Sequence, residues 1–210
     1  MPAKLEHLVR LQKRDILRAA AVLADAFEPD PVWNAILRDS SRAQRMAAFE
    51  TPVRYCLRYG EVYASSENLE GVAGWVPGAL ADMTFWRVVR SGAMWAGIRL
   101  GASVLSSANL VREMPSIFRQ LEEDRKAHMQ GKSFIYLQVI GVAPAYQGQG
   151  FGGKLLRALI EECEQAGMPL YLETETERNV SMYQHYGFQV VKQIALPVID
   201  LPMWEMVRGA

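Results

Sequence analysis

Apolar and polar residues alternate from His7 to Leu11, the period of a half-buried strand. Asp15 then stands where a helix N-cap belongs, and Ile16, Leu17, Ala20 and Leu23 follow at helical spacing. The run Phe27-Glu28-Pro29-Asp30-Pro31 stops that helix, because proline fixes φ and lacks an N–H. A second helix is predicted from Ser41 to Tyr59, closed by Gly60. Val62–Ser65 and Val72–Val76 read as strands, and the polar turn between them makes an antiparallel hairpin that Pro77-Gly78 ends. Residues 79–130 change period: they read as two or three helices, punctuated by Gly92, Gly97, Gly101 and Pro115, with a charged last part over 118–130. Phe134–Val142 carries no charge and is rich in Val and Ile, the pattern of a strand buried on both faces. After the loop Ala143–Gln149 a helix runs to Gly167. Leu155, Leu156, Leu159, Ile160 and Cys163 form its apolar face, and Lys154, Arg157, Glu161, Glu162 and Glu164 its polar one. A strand at Leu170–Thr174, a short helix near Ser181–Tyr186 and strands at Phe188–Leu196 and Met203–Val207 complete the chain. The sum is an α/β fold with one parallel crossover in its C-terminal half.

The sequence has 210 residues, enough to bury a sizeable core, and is read as one domain over 1–210 with residues 79–130 as a helical insertion. Lys plus Arg is 23 and Asp plus Glu is 23, so no basic field draws the chain to nucleic acid, and no nucleic-acid partner is expected. Two cysteines, Cys56 and Cys163, both in apolar contexts, make no disulfide framework or Cys-rich metal site, and no metal is expected. The most apolar stretch, Met83–Leu110, carries Arg87, Arg90 and Arg99, each costly at a bilayer centre, so no membrane partner is expected either. With a charged N-terminus lacking an apolar signal core, the expected location is cytoplasmic.

One segment changes this ordinary picture. Gly148, Gly150, Gly152 and Gly153 crowd the junction between the long strand and the amphipathic helix. Glycines there bare backbone N–H groups at a helix N-terminus, where donors and the helix dipole favour an anion such as phosphate. Local physics thus points to a phosphate-bearing ligand; a flexible turn without ligand is the plain alternative. Three phosphate motifs overlap. Gly148, Gly150 and Gly153 satisfy the GxGxxG of dinucleotide folds, with Glu173 placed for a ribose contact. Gly148–Lys154 satisfies the start of a P-loop, but Leu155 occupies the place of the magnesium-binding hydroxyl. Too little chain follows the loop for the usual dinucleotide half plus a substrate domain, and two strands rather than further βαβ units close it.

The third pattern is Gln147, Gly150 and Gly152 as Gln-x-x-Gly-x-Gly. With the strand ending in Val142, then Pro144, and the helix opening on Leu155-Leu156, the run Leu137–Leu156 resembles the acyl-CoA motif of the GNAT superfamily of N-acyltransferases. Asn179 followed by Tyr183-Gln184-His185-Tyr186-Gly187-Phe188 resembles that family's Asn…Tyr-x-x-x-Gly-Phe block. The resemblance is close over 133–190 and follows element order over 5–78. It implies a GNAT-like fold: a central mixed, mostly antiparallel sheet, splayed at strands 4 and 5 and flanked by helices, with the insertion between strands 3 and 4. It also implies an acyl-CoA-dependent N-acyltransferase that moves an acetyl group from acetyl-CoA to a primary amine of a small molecule by direct attack in a ternary complex. A dinucleotide-binding oxidoreductase and a non-catalytic CoA-binding sensor of the same fold are the alternatives.

The resemblance assigns roles residue by residue. Amides of Gln147, Gly148, Gln149, Gly150, Phe151, Gly152 and Gly153 would hold the diphosphate of coenzyme A, with Gln147 in a place where many members carry Arg. Pantetheine would pair along Ile140 and Val142 like an added strand, where a backbone N–H could polarise the thioester carbonyl. Tyr183 would be the general acid for the departing thiolate, and Asn179 a helix cap or a coenzyme contact. For the base, Glu173 at the end of its strand is the candidate, against a purely structural carboxylate. Glu175 and Glu177 read as solvated loop charges, Asp30 as a turn residue before Pro31 that could line the acceptor side, and His128 and His185 as surface or loop residues. Some members place His where this chain has Phe134, so a base supplied there is absent. Met83, Phe85, Trp86, Met94, Trp95 and Ile98 in the insertion read as core, with an acceptor lid or a homodimer interface as the functional alternative.

Overall fold

A computed structural model of the chain describes residues 5–94, 96 and 119–209. In order these form β1 (Val9–Arg10), α1 (Ile16–Ala26), α2 (Pro31–Ile36), α3 (Arg42–Tyr59), β2 (Glu61–Ala64), β3 (Gly71–Pro77), α4 (Phe85–Ser91), α5 (119–128), β4 (Ile135–Val142), α6 (Phe151–Ala166), β5 (Leu170–Thr174), α7 (Glu177–His185), β6 (Gln189–Ala195) and β7 (Pro202–Arg208). The strands make one sheet in the order β1-β2-β3-β4-β5-β7-β6. Each neighbouring pair is antiparallel except β4 and β5, the single crossover, which α6 spans.

That parallel pair is short. β4 and β5 meet only at Ile135↔Leu170 and Tyr136↔Tyr171, whereas β3 stays paired with β4 out to Val142. Past Tyr136 the two central strands therefore part, and one edge of β4 is left without a partner strand. A bulge adds to the divergence: Gly74 faces Val139 and Trp75 faces Leu137, so Gln138 is the extra residue. Two apolar layers cover the sheet. On one face Leu155, Leu156, Leu159 and Cys163 of α6 pack on Trp75, Leu137, Leu170 and Leu172. On the other, Leu23 of α1 and Phe49, Val53 and Cys56 of α3 pack on Val72, Val139 and Tyr171. Both cysteines are buried free thiols.

Three local expectations are corrected. The break at 27–31 is followed by a further short helix, α2, because Asp30 caps it through the Trp33 N–H (2.9 Å) and Pro31 takes the first-turn position that tolerates its missing donor. α7 starts at Glu177 and not near Ser181, and Thr176 caps it by accepting from the Asn179 N–H at 3.2 Å, so Asn179 is not the cap. The first strand shrinks to Val9–Arg10. In the insertion α4 and α5 are helical as expected; Trp95, Gly97, Ile98, Arg99, Gly101 and Pro115 lie outside the described residues. Met83 packs on the core, while Phe85 and Trp86 are about two-thirds exposed, at 68% and 67%. No helix among the described residues is long and apolar enough to cross a membrane.

Candidate active site

The glycine loop is held by its own side chains. Gln147 donates from Nε2 to the Val142 carbonyl (3.1 Å), Gln149 donates to the Ala145 carbonyl (3.0 Å), and the Tyr146 and Phe151 rings meet edge to face at 5.9 Å. Gly148 (φ +77°) and Gly150 (φ +88°) take left-handed conformations that a side chain would strain. Gly150 is the N-cap of α6 and has no side chain to occupy the first-turn N–H groups, which lack intrahelical acceptors. Gly153 is required for another reason: a Cβ there would lie 2.4 Å from the Tyr186 hydroxyl. Lys154 is drawn away from the loop, its Nζ donating to the Ser65 carbonyl at 2.6 Å.

This loop forms one wall of a cavity of about 450 Å³ that opens where β4 and β5 part. Of the residues expected to bind a coenzyme, Ile140, Val142, Gln147, Gly148, Gly150 and Phe151 line it, as do Gly152, Gly153 and Asn179. Gln149 does not, its side chain being turned back on Ala145. Tyr183 lines the cavity from α7. It is buried edge to face against Phe188 at 5.5 Å, and burial, then the Glu175 carboxyl, push its hydroxyl well above the ordinary tyrosine value. The opposite wall is the α1–α2 turn with Phe27, Pro29 and Asp30. Stacking of Phe27 on Phe49 (5.0 Å), with Trp33 against Phe49 (4.8 Å), holds that turn in place. Among the described lining residues Arg178 is the one cationic side chain.

Glu173 does not line this cavity. Its Oε1 accepts from Arg125 Nη1 at 2.9 Å and its Oε2 from the Tyr136 hydroxyl at 2.5 Å. Arg125 also reaches Asp82 (3.0 Å) and lies 4.5 Å from the Tyr136 ring centroid. Burial raises the Glu173 carboxyl while Arg125 and Tyr136 oppose that rise. The expectation that Glu173 is the base is therefore revised: one of its oxygens ties β5 to Arg125 of the insertion and the other ties it to Tyr136 of β4. Glu175 is also revised, in the other direction. It is half-buried rather than solvated, and burial, then the Asp30 carboxyl, push it up to about 8. Asp30 both caps α2 and lines the cavity, its carboxyl raised by burial. Glu177 and His185 are exposed, as expected, while His128 sits on α5 with Nε2 3.6 Å from the buried Glu205.

Arg125, Arg178 and Gln138 are the site-side residues that sequence reasoning missed. Arg125 lies 48 positions before Glu173 and had no local signal. Arg178 adjoins Asn179 inside an already recognised block, so its charge was legible there. Gln138 interrupts an apolar run, and its side-chain oxygen is buried without a hydrogen-bond partner among the described residues.

The family model of the acetyltransferase (GNAT) domain matches residues 118–190. An uncharacterized N-acetyltransferase of Schizosaccharomyces pombe is 27% identical over 192 residues, covering 89% of this chain and 76% of its own length. Among solved structures, a Corynebacterium glutamicum protein described as histone acetyltransferase HPA2 and related acetyltransferase superposes with a TM-score of 0.64 at 18% identity, over 96% of this chain and 94% of its own. An agmatine N-acetyltransferase superposes with a TM-score of 0.57 at 13% identity, over 95% of this chain and 97% of its own.

Proposed function

The chain belongs to the GNAT superfamily of acetyltransferases, and we propose that it moves the acetyl group of acetyl-CoA to the primary amine of a small molecule within a ternary complex. One observation carries this reading: a single cavity joins the amides of the glycine loop, the unpartnered edge of β4 and the buried hydroxyl of Tyr183. The residues present fit a coenzyme A thioester. Left-handed Gly148 and Gly150 and the uncapped first turn of α6 suit a diphosphate, with no metal required. Arg178, on the facing helix, supplies the positive charge that Gln147 does not. The backbone of Ile140 and Val142 offers the β4 edge to an extended pantetheine arm.

Bound acetyl-CoA supplies an activated carbonyl and a thiolate leaving group. Tyr183 stays protonated through the neutral range and can give its proton as the thiolate departs. The aromatic-backed turn at Phe27–Asp30 limits the acceptor end of the cavity, which favours a small amine over a bulky one. A small amine is also the acceptor named for the agmatine N-acetyltransferase that shares the fold.

Thermal shift with acetyl-CoA and with NADH, followed by turnover of an amine panel, tests the proposal. Acetyl-CoA at one hundred times its Kd is expected to stabilise the protein by about 2.7 kcal/mol, and at least one amine to be acetylated. Stabilisation by NADH alone would overturn the proposal; acetyl-CoA binding without turnover of any amine would favour the sensor alternative.

A further inference from the structure

Resting on the acetyl-transfer reading, we propose that Lys154, Ser65 and Glu70 are positioning residues for the coenzyme diphosphate: the turn between β2 and β3 is a clasp that fixes both ends of the glycine loop. Residues 144–150 are all exposed, and Gly148 and Gly150 have no side chain to pack the loop in place. Such a chain samples many conformations unless its ends are held. Both ends are held at one spot. At the entrance, the Ala143 N–H donates to the Glu70 carbonyl at 2.8 Å, one step beyond the end pair Gly71↔Val142 of β3 with β4. At the exit, Lys154 in the first turn of α6 donates from Nζ to the Ser65 carbonyl at 2.6 Å.

The two anchors are joined to each other. Ser65 Oγ donates to the Glu70 carboxylate at 2.7 Å and accepts from the Gly71 N–H at 3.0 Å. Ser66 Oγ gives the same carboxylate a second bond at 2.8 Å. Ala143, Glu70, Ser65 and Lys154 therefore form a closed chain of hydrogen bonds around the base of the loop. The turn itself is stiff. Leu69 takes a left-handed φ of +59° with its side chain buried in the core, a conformation that persists in such a residue only where its surroundings fix it. Lys154 has no simpler use. A cation in the first turn faces the positive end of the helix dipole. Its ammonium meets the turn and not the glycine amides, and it is absent from the cavity wall that Gly152 and Gly153 line. Amides held in place before a diphosphate arrives bind it more tightly, because less freedom is lost on binding.

Calorimetry with acetyl-CoA, joined to steady-state kinetics on an acetylated amine, tests the clasp. Lys154→Met and Ser65→Ala are each expected to weaken acetyl-CoA binding about 5–10-fold. KM for acetyl-CoA should rise by the same factor, with kcat and KM for the amine unchanged. Lys154→Arg keeps a donor and should restore most of the affinity. The double variant should lose less than the product of the single losses, since both open one clasp. The loss in Lys154→Met should be the same at low and high salt, whereas a direct ammonium–phosphate contact would fade as salt rises. A merely structural role would lower Tm and leave Kd alone, the behaviour expected of Cys56→Ala, a core truncation on the sheet face away from α6. The inference fails if Lys154→Met and Ser65→Ala bind acetyl-CoA as the wild type does, if their losses multiply, or if the Lys154→Met loss fades with salt. If the wild type binds no acetyl-CoA, the acetyl-transfer reading fails with it, an outcome visible before any variant is made.

Discussion

Tyr183 lines the cavity from a buried position. Its ring is packed edge to face on Phe188, so the side chain is oriented by packing before any ligand arrives. Because burial and then Glu175 push its hydroxyl up, it remains a donor across the neutral range. Tyr183→Phe preserves the packing and removes the proton. It is expected to lower kcat about 100-fold or more, with acetyl-CoA affinity retained in calorimetry and no falling limb lost below about pH 10. Both Asn179 and Tyr183 were legible as members of a spaced block, because a helix of this length presents fixed positions to the cavity. The different surroundings of Glu173 and Glu175 were not: two carboxylates two residues apart look alike until Arg125 arrives from a remote helix and pairs with one of them.

At the scale of elements, the junction of β4 and α6 builds the glycine-loop wall of the cavity. The left-handed Gly150 both ends the loop and exposes the first turn of α6. Gly150→Ala places a side chain in a conformation that costs roughly 1–2 kcal/mol, and is expected to lower Tm by several degrees and weaken acetyl-CoA binding in the same calorimetric assay. Gly141 governs the other wall. A Cβ there would sit 2.9 Å from the Ala26 Cβ and 3.0 Å from Leu23, so the close seating of α1 on β4 depends on its absence. Gly141→Val should cost about 1–3 kcal/mol by overpacking and, by displacing the turn that bears Asp30, raise KM for the amine more than KM for acetyl-CoA. The period-2 and period-3.6 patterns foretold nearly every strand and long helix. They missed α2, since a short helix between two prolines carries too few apolar positions to show a period.

The whole molecule carries an unusual balance of buried carboxyls. Burial pushes Glu175 up to about 8 and Glu205 up to about 7, from an ordinary value of 4.5. Such groups bind protons in the folded state that the unfolded chain does not. Their stabilising contribution is full below pH 4.5 and is lost as pH rises through 7 to 8. Asp82 and Asp124 act oppositely: burial opposes their ionisation, but Lys126 and Arg125 for the first, and Lys192 and Gln120 for the second, hold them below 3.8. Their contribution is present above that value and lost in acid. Tm is therefore expected to be highest near about pH 5 and to fall on both sides, as scanning fluorimetry across pH would show. A Tm that climbs from pH 5 to pH 8 would contradict these buried carboxyl assignments.

Sequence by itself determined the α/β order of elements, the glycine loop at a helix N-terminus and the spaced Asn and Tyr block, because each is set by local rules of period, φ and capping. Tertiary structure alone decided where β4 and β5 part, that Gln138 bulges at that point, and that Asp30 lines the cavity while Glu173 is held by Arg125 and Tyr136. Those features depend on register between distant strands and on one arginine from the insertion, and no run of neighbouring residues encodes such distances.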